Sequence, residues 1–242
     1  MSLHSRVVVV VPAYNEEQTV ADVVKRVVNE GFPVLVVDDG SSDRTEARAK
    51  LAGAEVIRLP INLGVGGALR CGFRWAVANG FDCVVQCDAD GQHSPDQIGA
   101  LVDFAITNDL HLAIGSRFLG GSDFMSSPVR RIPMRLMAAL ASKVAGVRLT
   151  DITSGFRAVR QPLLSEFARR FPVHYLGDTF DVTVEAGRSG FRLGEMPTRM
   201  FERAGGAPSS GTLRSVAYLF RSFFVLLIGS RDGFVHQAES TE

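Results

Sequence analysis

The chain has 242 residues, 46% hydrophobic and 21% charged, and its 26 lysines and arginines balance its 26 aspartates and glutamates. That length supports one large buried core, and the composition is that of an ordinary soluble α/β protein, which excludes disordered, fibrous and nucleic-acid-coating classes. No apolar run reaches the roughly 18 residues of a membrane span, and the N-terminus MSLHSRVVVVVPAYNEE does not read as a signal peptide, so a cytoplasmic protein is expected.

In chain order, short β-branched runs occur at 6–12 (RVVVVVP), 33–39 (PVLVVDD), 54–60 (AEVIRLP), 82–88 (DCVVQCD) and 110–116 (LHLAIGS). Helical spacing lies between them: Val20, Val23, Val24, Val27 and Val28 form one apolar stripe, and further helices are expected near 43–52, 66–79 and 95–107. This alternation predicts right-handed βαβ units, and hence an α/β fold with a mainly parallel, Rossmann-like sheet flanked by helices. Beyond 117 the pattern loosens. FLGGSDFMSSP is a Gly/Ser loop, 129–146 reads as a basic helix, DITSGFRAV as a strand, 178–189 as a helix and 203–211 as a loop led by Arg203. A last amphipathic segment, 212–229, carries Arg214 and Arg221, and its uninterrupted apolar core is too short to cross a bilayer.

Ligands of parallel sheets bind at the carboxyl ends of the strands, and that is where the polar motifs fall. DADGQH follows the fourth strand; Asp88 and Asp90, two apart, project to one side of an extended chain, and with Gln92 they suit a hard cation such as Mg²⁺ or Mn²⁺. Gly91 and Gly99 stand at the fourth and twelfth positions counted from Asp88, which excludes an EF-hand loop. One aspartate alone could equally be a helix cap before Ser94-Pro95. In VVDDGSSDRT, Ser41, Ser42 or Asp43 can cap the next helix, leaving a strand-end aspartate to accept base N–H groups. NLGVGGALRCG follows the third strand and lacks G-x-G-x-x-G spacing, so its glycines serve a tight turn and close helix packing rather than a nicotinamide cofactor. Cys71, Cys83 and Cys87 are odd in number and lack C-x-x-C spacing, which predicts buried free thiols.

Charge is uneven along the chain: residues 1–116 hold 9 basic against 15 acidic residues, and 117–170 hold 10 against 3. An anionic ligand between an acidic and a basic region fits that asymmetry, as does a solvated charged face. Arg117, Arg130, Arg131, Arg157 and Arg203 are the candidate phosphate forks.

Taken together, PAYNE (12–16), VDDGSSDRT (37–45), NLGVGGALRCGF (62–73), DADGQHSPDQI (88–98), GSR (115–117) and DITSGFRA (151–158) resemble family 2 glycosyltransferases of the GT-A fold, in the branch of dolichol-phosphate mannose synthases and bacterial polyprenyl-phosphate glycosyltransferases. The resemblance covers about residues 6–206 and implies a catalytic domain over 1–211, with a nucleotide-binding half (1–116) and an acceptor half (117–211), followed by a C-terminal helix and tail (212–242). It implies that Pro12, Tyr14, Glu16, Val37 and Asp39 hold base and ribose, and that Asp88, Ala89 and Asp90 face the pyrophosphate, with Asp88, Asp90 and Gln92 on Mg²⁺ or Mn²⁺. Arg117, Arg131 and Arg203 would grip the phosphates of donor and acceptor, and Ser154, Gly155 and Phe156 would shape the acceptor side beside Asp151.

The implied reaction moves a sugar, with inversion, from a GDP- or UDP-sugar to a polyprenyl phosphate. A soluble hydroxyl acceptor would need a base, for which Asp151, Asp181 and Glu185 are candidates. A pyrophosphorylase would place a G-x-G-T loop where this chain has PAYNEEQT, and a non-catalytic sugar-nucleotide module would keep the motifs without turnover. Two departures stand out: many relatives carry transmembrane helices after the catalytic domain, and the loop after Arg203 reads GGAPSSG rather than ending in Ser-Lys. The 212–229 segment is therefore expected either to meet a membrane surface, at the inner face of the cell membrane, or a membrane-protein partner, or to pack on the domain as a plain helix. A homo-oligomer is left open, and no nucleic acid is expected.

Overall fold

The structure is a computed structural model that describes residues 6–119, 138–173 and 178–201, with Asp178 described by its backbone alone. Seven strands form one sheet: β1 (Val7–Ala13), β2 (Val34–Asp38), β3 (Glu55–Arg58), β4 (Cys83–Gln86), β5 (Leu112–Ser116), β6 (Arg157–Arg160) and β7 (Leu193–Pro197). Their spatial order is β3-β2-β1-β4-β6-β5-β7, and β6 alone runs antiparallel to its neighbours β4 and β5. The crossovers are α1 (Val20–Asn29), α2 (Thr45–Leu51), α3 (Val65–Ala78) and α4 (Ile98–Thr107). The second half adds a helix described over 138–145 (α5), α6 (Leu163–Arg170) and α7 (Asp178–Arg188). None of the described helices is long and apolar enough to cross a membrane.

Alternation along β1 divides the core into two layers. Val8 and Val10 join one cluster with Leu69 and Phe73 of α3 and Phe167 of α6; Val7, Val9 and Val11 join the other with Val20, Val23, Val24 and Val27 of α1 and Leu101 of α4. Burial on both faces explains why β1 reads as an unbroken valine run rather than an alternating one. Close approach of α3 to β1 requires Gly72, since a Cβ there would lie 2.5 Å from Cγ1 of Val10. Gly64, which opens α3, has φ +82°, a backbone region that glycine enters without strain. The glycines of NLGVGGALRCG thus serve the turn and the packing that their positions imply.

The five N-terminal strands fall where their β-branched runs predict. The second half departs from its sequence pattern in places. DITSGF is a turn, and the strand begins only at Arg157. β7, LGEMP, was not foreseen, because a five-residue strand containing glycine and proline at the sheet edge has no periodicity to read. The basic helix expected over 129–146 is seen only as α5, since 120–137 lie outside the described residues, as do 174–177 and the whole of 202–242.

One topological consequence positions the site. Because β6 is antiparallel, the turn that precedes it, 151–156, arrives at the same edge as the carboxyl ends of β1, β2, β4, β5 and β7. Acidic and basic motifs more than sixty residues apart in sequence thereby share one rim.

Candidate active site

At one end of this rim, two loops are tied together by short polar side chains. The Asn15 amide donates to Oγ of Ser41 (2.9 Å), the Ser42 amide donates to Oδ1 of Asn15 (2.9 Å), and the Glu16 amide donates to Oγ1 of Thr45 (2.8 Å). Asn15 sits at φ +54°, a conformation that asparagine tolerates better than most residues. Asp43 takes the Thr45 amide (2.9 Å) and the Glu17 amide (3.1 Å), so among the three capping candidates its carboxylate supports the start of α2. Burial pushes the Asp43 carboxyl up, but hydrogen bonds from the Thr45 hydroxyl and amide and the Glu17 amide outweigh it and leave its pKa lowered.

The strand-end aspartates point inward. Asp38 is fully buried and takes the Ser41 amide at 2.9 Å. Asp39 is 3% exposed and accepts the amides of Leu63 (2.7 Å) and Gly64 (2.8 Å), locking the turn into α3. Burial raises its pKa, the two amides pull it back in part, and the charge of Asp38 adds to the rise. Tyr14 lies open on the surface at 49% exposure, and Pro12 sits beyond Val10, where the β4 ladder ends, so its missing N–H costs no sheet bond there. Val37 departs from its expected role: its side chain is completely buried in the core beside Leu35 and Phe73 and cannot touch a nucleotide.

The acidic motif also folds differently from an extended strand. β4 ends at Gln86, and Asp88, Ala89 and Asp90 lie in the turn that follows, with Gly91 at φ +77°. The two carboxylates are therefore placed by turn geometry, not by the two-residue period of a strand. The Gln92 amide donates to Oδ1 of Asp90 (3.0 Å), and Asp90 is 8% exposed. Asp88 keeps 37% of its side chain exposed, and its carboxylate accepts no hydrogen bond from the described residues. Nε2 of His93 lies 3.6 Å from its Oδ2. Ala89 between them is buried in the core, and Phe201, two residues before Arg203 in the sequence, donates its amide to the Gln92 carbonyl at 2.9 Å.

Opposite the acidic turn, Arg117 at the end of β5 clasps Asp151. Its Nε donates to Oδ2 (2.6 Å), its Nη2 to Oδ1 (2.7 Å) and to Oγ1 of Thr153 (2.6 Å), and its own amide donates to Oδ2 (3.0 Å). Burial alone would lower the Arg117 pKa, but the hydrogen bonds and charge of Asp151, with the charge of Asp88 behind them, raise it. Asp151 is held from the far side by Glu195 of β7, whose Oε1 accepts the Asp151 amide (2.8 Å) and whose Oε2 accepts the Thr150 amide and hydroxyl (both 2.7 Å). Burial raises the Glu195 pKa, those hydrogen bonds draw it down in part, and the charge of Asp151 raises it further.

Several other expectations are corrected here. Asp151 is not a free base, because its side chain is completely buried and both its oxygens bind Arg117. Arg157 is not a phosphate fork: at 1% exposure its guanidinium donates to the carbonyls of Ser154, Ile152 and Thr179 and to the Thr183 hydroxyl. Ser154 is equally buried, and its hydroxyl accepts the Phe156 amide at 3.3 Å within the turn, so it offers no open group to a phosphate. Asp181 and Glu185 sit on α7, whose Thr179 and Thr183 carry Arg157. Arg130, Arg131 and Arg203 lie outside the described residues. The cysteines are free thiols; burial pushes Cys83 up to about 12 and raises Cys87 too, which leaves both unreactive. His93 and Glu195 were not singled out from the sequence, although His93 directly follows the metal-ligand candidates in DADGQH.

These residues suit a divalent cation that shares its coordination with a ligand. Among the described residues no group of three or more His, Cys, Asp or Glu converges as a closed metal cage. A half-exposed carboxylate that accepts no hydrogen bond from the described residues, two positions before a second carboxylate, matches an ion that takes its remaining oxygens from phosphate and water.

Comparison with known proteins shows the family. Residues 8–167 match the model of the family described as glycosyl transferase family 2. The polyprenol monophosphomannose synthase of Mycolicibacterium smegmatis is 36% identical over 210 residues, covering 82% of this chain and 78% of that protein. The undecaprenyl-phosphate mannosyltransferase of Micrococcus luteus is 35% identical over 208 residues, covering 82% and 84%. Among solved structures, glucosyl-3-phosphoglycerate synthase of Mycobacterium tuberculosis in complex with Mg²⁺ and UDP superposes with a TM-score of 0.67 at 24% identity, covering 94% of this chain and 80% of that one, a likeness that bears on the fold. The matched region contains both the acidic turn and the Arg117–Asp151 clasp, and the chain belongs to glycosyl transferase family 2: it is a glycosyltransferase of the GT-A fold.

Proposed function

We propose that this glycosyltransferase moves a sugar from a nucleotide diphosphate sugar to a polyprenyl phosphate, with a divalent metal at Asp88 and Asp90. The observation that carries the proposal is the Asp88 carboxylate, half exposed, without a hydrogen bond from the described residues, and close enough to Arg117 to raise its pKa. The names of the relatives from Mycolicibacterium smegmatis and Micrococcus luteus, a polyprenol monophosphomannose synthase and an undecaprenyl-phosphate mannosyltransferase, support the acceptor class.

In this reading Asp88, Asp90 and the Gln92 side chain hold Mg²⁺ or Mn²⁺. When bound, the ion neutralises charge on the departing nucleoside diphosphate. The loops at 14–17 and 41–45, with Tyr14 open beside them, form the floor for base and ribose, and Asp39 acts on them through the 63–64 turn that it holds. The bond from the anomeric carbon to the β-phosphate oxygen breaks, its electron pair leaving with the nucleoside diphosphate. An oxygen of the acceptor phosphate forms the new bond from the opposite face, with inversion. A phosphate monoester, whose second pKa is about 6, is already an anion at neutral pH and requires no base. That suits a rim where Asp151, the carboxylate within the 151–156 turn, is neutralised by Arg117. A hydroxyl acceptor would have to find its base on α7, at Asp181 or Glu185. Arg131 and Arg203, with Arg117, are the proposed phosphate contacts. Residues 1–211 are the proposed catalytic unit, and 212–229 the proposed contact with a membrane surface or membrane protein.

Purified protein given labelled UDP- and GDP-sugars with Mn²⁺ should glycosylate a polyprenyl phosphate in vesicles and leave water-soluble hydroxyl acceptors unlabelled. Asp90→Ala, or EDTA on the wild type, should lower transfer by on the order of 10³, the equivalent of several kcal/mol of charge stabilisation. Undiminished transfer in EDTA would refute the metal, and labelling of the soluble acceptors alone would refute the lipid phosphate.

A further inference from the structure

We infer that His93 is a positioning residue for Asp88, fixing the carboxylate that meets the metal, an inference that rests on the metal reading given above. Nδ1 of His93 accepts the Asp88 amide at 2.9 Å, so that nitrogen carries no proton and the neutral ring places its proton on Nε2. Nε2 is buried, makes no hydrogen bond with the described residues, and lies 3.6 Å from Oδ2 of Asp88. A buried N–H without an acceptor is costly, and here it is aimed at the carboxylate whose backbone the same ring already grips. A small turn of the Asp88 side chain brings the pair to hydrogen-bond distance.

The ring cannot follow that movement, because it is fixed on three sides. It is 2% exposed, it packs at a 37° tilt against Phe156 with centroids 5.3 Å apart, and its backbone forms an antiparallel bridge with Met200. The opposite wall of the carboxylate is Gly155, where a Cβ would come within 2.8 Å of Oδ2 and 3.0 Å of Oδ1. Asp88 is thus confined between a donor and a bare backbone: His93 follows it by five positions in the same turn, whereas Gly155 and Phe156 neighbour it only in the fold. Groups that orient a ligating side chain in this way are worth about 10-fold to 100-fold in metal affinity.

Two substitutions separate the nitrogens. In His93→Asn, Oδ1 falls near the Nδ1 position and can keep the Asp88 amide, while the Nε2 donor is lost; in His93→Gln, the amide nitrogen falls near Nε2, while the Nδ1 acceptor is lost. Mn²⁺ dissociation constants are measured directly on the full chain by the loss of the free-ion EPR signal, with UDP and GDP in parallel, alongside thermal melting. His93→Asn should weaken Mn²⁺ about 10-fold with little change in melting, and His93→Gln should melt earlier yet bind Mn²⁺ within about threefold of wild type. Equal Mn²⁺ affinity in His93→Asn and wild type, or equal weakening in the two variants, would overturn the inference. If His93→Asn does not fold, His93→Gln decides alone: near-wild-type affinity supports the role and a 10-fold loss rejects it. Wild-type protein that binds no Mn²⁺ with either nucleotide would instead remove the metal reading itself, and this inference with it.

Discussion

Two corners of one rim treat their carboxylates in opposite ways. At 116–117 and 150–154, Asp151 is completely buried, bound at both oxygens by Arg117 and braced through its backbone by Glu195. At 87–93, Asp88 stays half exposed, and its carboxylate accepts nothing from the described residues. A carboxylate that the protein has already compensated is architecture, and one left uncompensated next to a fixed cation is a place for a ligand's charge. The difference also assigns the arginines: Arg117 serves the rim as a member of a clasp, whereas Arg157, equally basic in sequence, ties the 151–156 turn to α7 from inside.

The largest effect should come from breaking the saturated corner. Arg117→Ala leaves the buried Asp151 carboxylate unpaired, which costs about 3–5 kcal/mol, and thermal or urea unfolding should show it. Arg117→Ala combined with Asp151→Asn should recover a good part of that stability but not the transfer activity. If the single variant were as stable as wild type, the clasp would not be structural.

A middle-sized effect should come from crowding the open corner. In Gly155→Ala the new methyl meets both oxygens of Asp88, and Mn²⁺ affinity should fall about 10-fold while the melting temperature moves little. Gly99→Ala is the control. No atom lies within 4 Å of a Cβ there, so the variant should keep wild-type Mn²⁺ binding and gain up to about 1 kcal/mol, as alanine gains over glycine within a helix. Identical Mn²⁺ affinities in the two alanine variants would show that the Gly155 contact does not constrain Asp88.

The smallest effect concerns the nucleotide end of the rim. The Asp43 pKa is lowered in the folded state, so its stabilisation is fully present above its unfolded value near 3.8 and is lost as pH falls through the lower folded value. Asp43→Ala should therefore cost about 1 kcal/mol at pH 7, and the gap from wild type should close as the pH is lowered below that range. A gap that stayed constant with pH would mean that Asp43 contributes by shape and not by charge.

What the sequence alone determined is whatever depends on local pattern. Valine runs covered on both faces give β1, β2 and β4, the helical valine stripe gives α1, and Gly64 and Gly72 mark a turn and a close contact whatever ligand is present. Motifs at strand ends were legible for the same reason, because a parallel sheet delivers all its carboxyl ends to one rim. Only the tertiary structure decided what each polar side chain meets there. The reversed direction of β6 brings Gly155 and Phe156 against Asp88 and His93, and the unforeseen β7 puts Glu195 behind Asp151. It also buried Val37, Ser154 and Arg157, which sequence reading had turned toward the ligand. Residue type states which charge a side chain carries, but partners distant in sequence, 34 positions for Arg117 and Asp151, brought together by sheet order, settle whether that charge is neutralised within the protein or left for a substrate.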